Sequence, residues 1–497
     1  MEAVSTYGQA AAGPPESMLR DGFASALARA ADGTGSTLTG LGLVADGFAT
    51  VQIDLNVVHK ESQGSRAEIT LCDHNCTTTV HGVATGGNYT CPAAMSLNRG
   101  ARSTSLAPGA KLLEGLLSTI DGIRTAQQEF LTADLEAYFE RESIPEALRP
   151  DYTAALSNRK IVVNLFGGSP ETHPDVLEII EGIQGAGAEV HLTTTGRRIV
   201  SDERFLADFL ARPPEVIGLG ADDFESADDV DRLFSLGFDE LARLWRTTPW
   251  QHGQRRKAIE AVQICKMAQE HEGFPAVLFN IVLHRGNLKD AAALLDRLSH
   301  HTDGRAVLNP YPVQTAFMGQ RGELGEVDLH RLSEFADTAI QVHRDRLTGE
   351  PARWNLAPRI GYWILMRALL DGSAVEASDR VGGKGVWQCY SRRGAGRCVQ
   401  VGMAARSSHE TALPGGHLGC FWNHETVTDN RQFWDLDTRT VADWVLEGRR
   451  ESAAGAEWRC RGCLFPRMSM DAVSLELGLT SASAEPYRRV RARYLGY

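Results

Sequence analysis

The sequence predicts an α/β chain: a partial (β/α)6 TIM-like barrel followed by a small C-terminal α+β unit. Three observations lead there. Six short apolar runs recur between residues 50 and 313, each followed by a stretch with apolar residues at helical spacing. Strands that read as apolar on both faces belong to a parallel sheet covered by helices, and right-handed crossovers curl six such units into a partial barrel. Lastly, 497 residues exceed one barrel, and the composition beyond residue 385 turns to glycine and cysteine.

Residues 1–48, rich in Ala, Gly, Ser and Thr with one helical pattern from Met18 to Ala31, read as a lead-in or cap. The barrel is expected over 49–350. Its first strand is TVQIDLNVV (50–58), and after a cysteine-bearing loop comes an amphipathic helix carrying Leu112, Leu113, Leu116, Leu117, Ile120 and Ile123. IVVNLF (161–166) then leads to a helix with Val176, Ile179, Ile180 and Ile183, and AEVHLTTT (188–195) to one near Arg204–Leu210. EVIGLG (215–220) precedes a polar insertion (225–253) and a helix near Arg255–Ala268; AVLFNIVLH (276–284) leads to Leu288–Leu298, and RAVLNPYPV (305–313) to Leu329–Val342. A linking helix (354–372, within 351–385) joins the barrel to the last unit, 386–497.

Charged residues make up 23% of the chain and the net charge is −12, with no Lys/Arg block, which argues against a nucleic-acid surface. The first residues lack a basic n-region and an apolar core, and no apolar run has spanning length. The expectation is a cytoplasmic protein with no membrane or nucleic-acid partner, in which clustered thiols mean metal or catalysis before disulfides.

The chain is organised around ITLCDHNCTTTVHGVATGGNYTC (69–91), which leaves the first strand at the rim where parallel α/β sheets bind ligands. Cys72, Cys76 and Cys91 form a C-x3-C-x14-C pattern. A cubane iron–sulfur cluster is normally held by four thiolates, so three leave one iron open to another ligand. A zinc site using Cys72, Cys76, His74 and His81 is the alternative, and structural thiols without metal are another.

Further marks sit at other strand ends. The second strand runs into FGGSPETHP (166–174), the third into TTTG (193–196), and the fifth into NIVLHRGNL (280–288). Taken with the three thiols, these resemble the radical S-adenosylmethionine (SAM) superfamily over about residues 50–345. The usual C-x3-C-x2-C spacing is broken, with Thr79 where the third cysteine would stand, and Ser169 replaces the Glu of the family's GGEP segment. The resemblance implies a [4Fe-4S] cluster on Cys72, Cys76 and Cys91. It also implies SAM bound by Gly167, Gly168, Ser169, Pro170, Thr194 and Asn280, with Tyr89 against the adenine. His284 and Arg285 are either part of that surface or solvated rim residues.

In the last unit, Cys398, then Gly415-x4-Cys420, then Cys460-Arg-Gly-Cys463 supply four thiols, enough for a second cubane or a structural zinc. This spacing resembles the twitch-type auxiliary cluster domain, a shortened SPASM domain, and implies a second [4Fe-4S] cluster. Cys389 is left over, and Cys265 reads as core.

What the resemblance implies is hydrogen abstraction from an unactivated C–H bond by the 5′-deoxyadenosyl radical, driven by an external one-electron reductant such as flavodoxin or ferredoxin. The unusual three-cysteine spacing resembles radical SAM sugar epimerases of orthosomycin (avilamycin-type) antibiotic assembly, which invert C2 from glucose to mannose configuration. On that reading the substrate is an oligosaccharide and the Cys389 thiol returns hydrogen to the opposite face. Trp245, Trp250 and Trp387 are then candidates for stacking on sugar rings, or else core residues. The competing reading is a twitch-domain enzyme that modifies a peptide or oxidises an alcohol.

Overall fold

The computed structural model describes residues 50–56, 79–80, 83–84, 108–141, 160–166, 169–221, 226–249, 253–312, 326–348, 350–358, 398–399 and 433–443, with isolated positions between. For 50–56, 79–80, 83–84 and 398–399 the description is of the backbone alone.

All six expected barrel strands form. They are β1 (Thr50–Asn56), β4 (Lys160–Phe166), β5 (Glu189–Thr193), β6 (Val216–Gly220), β7 (Ala276–Leu283) and β8 (Val307–Pro312). A small hairpin, β2 (Thr79–Val80) with β3 (Val83–Ala84), and β9 (Cys398–Val399) are additional. The main sheet runs β8-β7-β6-β5-β4-β1-β9, and every pairing in it is parallel.

The six barrel strands follow one another without reversal. A doubly wound sheet needs a point where the order turns back and helices switch faces; without it, right-handed crossovers put every helix on the same side. Burial agrees. Val163, Leu165, Val190, Leu192, Ile217, Leu219, Phe279, Ile281 and Leu308 belong to the hydrophobic core, together with Leu116, Ile120, Ile180, Ile183, Ile259, Val262 and Leu295 of the helices. The alternate positions Asn164, His191, Thr193, Asn280 and Asn309 are half-buried and outside that core. One face of the half-barrel is therefore packed against helices and the other is polar.

The helices start where local chemistry lets them. Among the described residues they are α1 (Gly109–Ala133), α2 (Leu135–Arg141), α3 (Val176–Gly185), α4 (Arg197–Ser201), α5 (Glu203–Ala211), α6 (Ala227–Phe234), α7 (Phe238–Thr247), α8 (Gly253–Glu270), α9 (Ala291–His301) and α10 (Glu326–Thr348). Asp202 caps α5 by accepting from Phe205 N (3.0 Å), and Ser226 caps α6 by accepting from Asp229 N (3.2 Å). α1 buries Leu112, Leu116, Ile120 and Ile123, the stripe its spacing predicts.

Four features depart from the sequence reading. The polar insertion folds as α6 and α7, tied to the core by Val230, Leu233, Phe234 and Leu241. The short α4 precedes the expected helix after β5. Residues 354–358 are not helical: Leu356 bridges Leu308 of β8, with Leu308 N donating to Asn355 O (2.7 Å) and Ala357 N to Leu308 O (2.8 Å). Pro358 biases the residue before it away from the α conformation, and helical backbone is described only from Tyr362 onward.

The fourth is β9, a seventh parallel strand contributed by the C-terminal unit, with Cys398 opposite Gln52 and Val399 opposite Ile53. Each edge of the barrel sheet is thus partly covered, β8 at Leu308 by residues 355–357 and β1 at Gln52 and Ile53 by β9. The same unit also reaches α1. Leu436, Val441, Ala442 and Leu446 join the core, Arg439 pairs with Glu129 (2.5 Å), and Gly122 gives Val441 and Thr438 room to approach. Among the described residues no helix is long and apolar enough to cross a membrane.

Candidate active site

Asn56, the last residue of β1, is in register with Phe166, the last of β4. β1, after which Cys72, Cys76 and Cys91 follow in sequence, therefore ends at the same rim as β4, after which Gly167 and Gly168 follow. Those three cysteines, Gly167, Gly168, Tyr89, Cys389, Cys420, Cys460 and Cys463 lie outside the described residues, as do Trp250 and Trp387. Within the cysteine segment the β2–β3 hairpin is described, with Thr79 paired to Ala84 and His81-Gly82 between the strands. Thr79, standing where the third cysteine of the usual spacing would be, is a strand residue, and the hairpin absorbs part of the long interval before Cys91. Cys398 is in β9, four residues back along β1's register from Asn56.

The turn after β4 is tightly built. Ser169 and Pro170 are buried, and Pro170–Thr172 form a 3-10 turn in which Thr172 N (2.9 Å) and Thr172 Oγ1 (2.7 Å) both donate to Ser169 O. Ser169 Oγ pairs with Thr195 Oγ1 at 2.7 Å. Glu171, which the sequence reading passed over, is fully buried at 0% exposure, and its carboxylate accepts from Thr194 Oγ1. Thr194 Oγ1 in turn accepts from Gly196 N (3.0 Å), so this hydroxyl is already committed within the protein. Arg198 Nη1 donates to Glu171 O (2.9 Å). Gly196, at φ +81°, occupies the left-handed region that the TTTG ending requires.

On the polar face Thr193 Oγ1 donates to Asn164 Oδ1 (2.8 Å) and Asn309 Nδ2 to Asn280 Oδ1 (2.8 Å). Between these pairs lies Gly218 of β6. A side-chain carbon there would sit 3.1 Å from Thr193 Oγ1 and 3.4 Å from Asn280 Nδ2, so glycine lets these two polar side chains approach the β6 backbone closely. Asn280 thus occupies the polar face, where the sequence reading expects strands apolar on both sides. Thr193, Asn164 and Asn309 join it without having been singled out; the signal was a polar residue interrupting each apolar run on the same alternate face.

At the end of β7 the rim is self-contained. His284 Nδ1 accepts from Gly286 N (3.0 Å), Asn287 Oδ1 accepts from His284 N (2.9 Å), and Arg285 Nε reaches Asp328 (2.9 Å). Trp245 does not meet the expectation of a free stacking surface. Its ring has Arg197 3.4 Å and Arg256 4.4 Å from the centroid, and its Nε1 donates to Glu260 Oε1 (2.7 Å). Cys265 is core: it is buried on α8 and burial pushes its thiol pKa up, so it stays protonated. Among the described residues no group of His, Cys, Asp and Glu is arranged to hold a metal ion.

No protein-family model matches the chain, and no curated protein matches it. Among solved structures, it is similar to Streptococcus suis SuiB, determined bound to the precursor peptide SuiA, at 11% identity and a TM-score of 0.41, covering 92% of this chain and 76% of that one. At so low a score the likeness decides neither the fold nor the chemistry of this chain.

Proposed function

We propose that the chain is a radical SAM enzyme whose cluster is held by Cys72, Cys76 and Cys91. One observation carries the reading: the register of Asn56 with Phe166, which starts the three-thiol segment and the Gly-Gly turn from neighbouring strand ends of a singly wound half-barrel. The residues at that rim suit a zwitterionic sulfonium amino acid with a nucleoside attached. Gly167 and Gly168 offer bare backbone, and the polar face offers neutral amides and hydroxyls that Gly218 lets draw close together. On this reading Gly167, Gly168, Ser169 and Pro170 line the amino-acid end, with Thr194, Asn280 and Tyr89 on the nucleoside side.

When bound and reduced by one electron, cluster and SAM supply a carbon-centred oxidant able to take hydrogen from an unactivated C–H bond. The protein's own part is positioning and exclusion of water. In the finer form of the proposal the substrate is an oligosaccharide, the hydrogen comes from C2 of one sugar, and the Cys389 S–H returns a hydrogen atom to the opposite face. The resulting sulfur radical is restored by one electron and a solvent proton. Each turnover then draws two electrons from an external reductant of the flavodoxin or ferredoxin class and consumes one SAM. Cys398, Cys420, Cys460 and Cys463 would hold a second [4Fe-4S] cluster, which would supply one-electron transfer.

Anaerobic purification tests the family reading. About eight irons and eight acid-labile sulfides per chain are expected for two cubanes, with an electron paramagnetic resonance signal that shifts on adding SAM. A chain that binds zinc and no iron, or whose iron signal ignores SAM, refutes it. Turnover in deuterated water tests the finer form: one deuterium at the inverted carbon, and Cys389→Ala cleaving SAM without forming product. A fully active Cys389→Ala removes that thiol from the mechanism.

A further inference from the structure

Glu171 does no work in the mechanism above, yet it is the acidic side chain buried deepest at the candidate site. It stands two positions after Ser169, which fills the place of the family's glutamate. A buried carboxylate needs hydrogen-bond donors, and this one receives the Thr194 hydroxyl. Thr194 is itself only 5% exposed, and its oxygen also takes the Gly196 amide (3.0 Å), the first N–H beyond the TTT run. Two further contacts lie alongside: Ser169 Oγ with Thr195 Oγ1 (2.7 Å), and Arg198 Nη1 to Glu171 O (2.9 Å).

We infer that Glu171 is a positioning residue: acting through Thr194, it fixes the turn after β5 against the turn after β4, and so sets how these two turns stand at the rim where the nucleoside cofactor binds. The inference rests on the SAM reading for the identity of the ligand; the strap itself rests on the contacts just given. Three features favour a positioning role over simple core filling. The contacts run between two loops, not between strands already joined by backbone ladders. They land on Thr194, Thr195 and Arg198, on either side of Gly196, whose left-handed φ of +81° holds the turn in a conformation that ordinary residues avoid. And they span 23–27 residues of sequence, so no local turn propensity replaces them.

The test uses the reconstituted full chain with three variants: Glu171→Ala, Glu171→Gln and Thr194→Val. Gln keeps a carbonyl that accepts from Thr194; Ala and Val each break the bond. Two readouts are taken, amide hydrogen exchange over residues 194–200 without added ligand, and the equilibrium affinity and KM for SAM. The expected result is faster exchange over 194–200 and about ten-fold weaker SAM binding in Glu171→Ala and Thr194→Val, the loss typical of one buried hydrogen bond. KM should rise with kcat little changed, and Glu171→Gln should stay near wild type on both readouts. Should Glu171→Ala fail to fold, Glu171→Asp, whose shorter side chain draws the carboxylate away from Thr194, takes its place against Glu171→Gln, with the same faster exchange over 194–200 and weaker SAM binding expected. Exchange that accelerates while SAM affinity stays unchanged, or Glu171→Gln behaving like Glu171→Ala, overturns the inference. A wild-type chain that binds no SAM defeats the family reading instead, and the inference with it, and is told apart because the variants are then not needed to see it.

Discussion

Replacing Gly122 by alanine should loosen the grip of the C-terminal unit on the barrel. Gly122 lies inside α1, where alanine ordinarily gains about 1 kcal/mol over glycine from helix propensity. Here the new carbon would meet Val441 Cβ at 2.6 Å, Val441 Cγ1 at 2.8 Å and Thr438 O at 2.8 Å. Carbon atoms rest at about 3.5–4.0 Å, so the helix that starts near Thr438 must retreat by about 1 Å. None of the three atoms is the far end of a flexible side chain. Overpacking of this kind costs about 1–3 kcal/mol, which outweighs or at best balances the propensity gain, so the net expectation is a loss of about 1 kcal/mol. The loss should be local. Urea denaturation followed by circular dichroism reports the net change, and hydrogen exchange over 433–446 reports where it falls, with protection there dropping before that of β4 or β5. The neighbouring Arg439–Glu129 ion pair is solvent-exposed and screened, so Arg439→Ala should leave both readouts unmoved. A Gly122→Ala chain as stable as wild type, with 433–446 equally protected, would falsify the steric account.

Other expectations follow from buried and capped groups. Asp229 accepts from Arg255 Nη1, Arg255 Nη2 (2.7 Å) and Arg232 Nη2 (2.8 Å); Asp229→Ala strands the largely buried Arg255 and should cost about 3–5 kcal/mol in denaturant titrations, and a cost under 1 kcal/mol would contradict that pairing. At the start of α5, the backbone bond from Phe205 holds the Asp202 carboxyl below its ordinary pKa, so its contribution is fully present above the unfolded value, about 4, and is lost as pH falls through the lowered folded value. The difference in melting temperature between wild type and Asp202→Ala should therefore be constant near neutrality and shrink below about pH 4; a difference that grows on acidification reverses the sign of the argument. Cys265, buried with its thiol pKa pushed up, should resist alkylation at pH 8 in the native chain and react on unfolding, as peptide mapping by mass spectrometry will read.

The six barrel strands were legible because each gathers β-branched and large apolar residues in a short run bounded by turn residues, a local signal. Their two-sided apolar look was only half right. Val162 and Val282 do make the polar face seem apolar in the string, but Asn164, Thr193, Asn280 and Asn309 recur on it, and only the register shows that they share one surface. β9 was illegible for a different reason: a pairing between Cys398 and Gln52 leaves no periodic trace over two residues. Glu171 was illegible because an acidic residue in a turn after a strand ordinarily faces solvent, and only the fold shows it buried against the Thr194 hydroxyl. Trp245 read either as a stacking surface or as core, and it packs against the core; the two guanidinium groups that cover its ring come from α4 and α8, pairings that the string does not show.

The pairing of β9 with β1 also bears on how the chain reaches its native state. The first strand is synthesised early, yet its outer neighbour arrives some 340 residues later, after every other barrel strand has been made. During that interval the ribosome-bound nascent chain carries an incomplete edge, a template for wrong partners and a source of slow, non-local closure. A version ending before residue 398 should therefore collect in inclusion bodies, and supplying the missing C-terminal piece as a separate polypeptide during refolding should bring part of it back into solution.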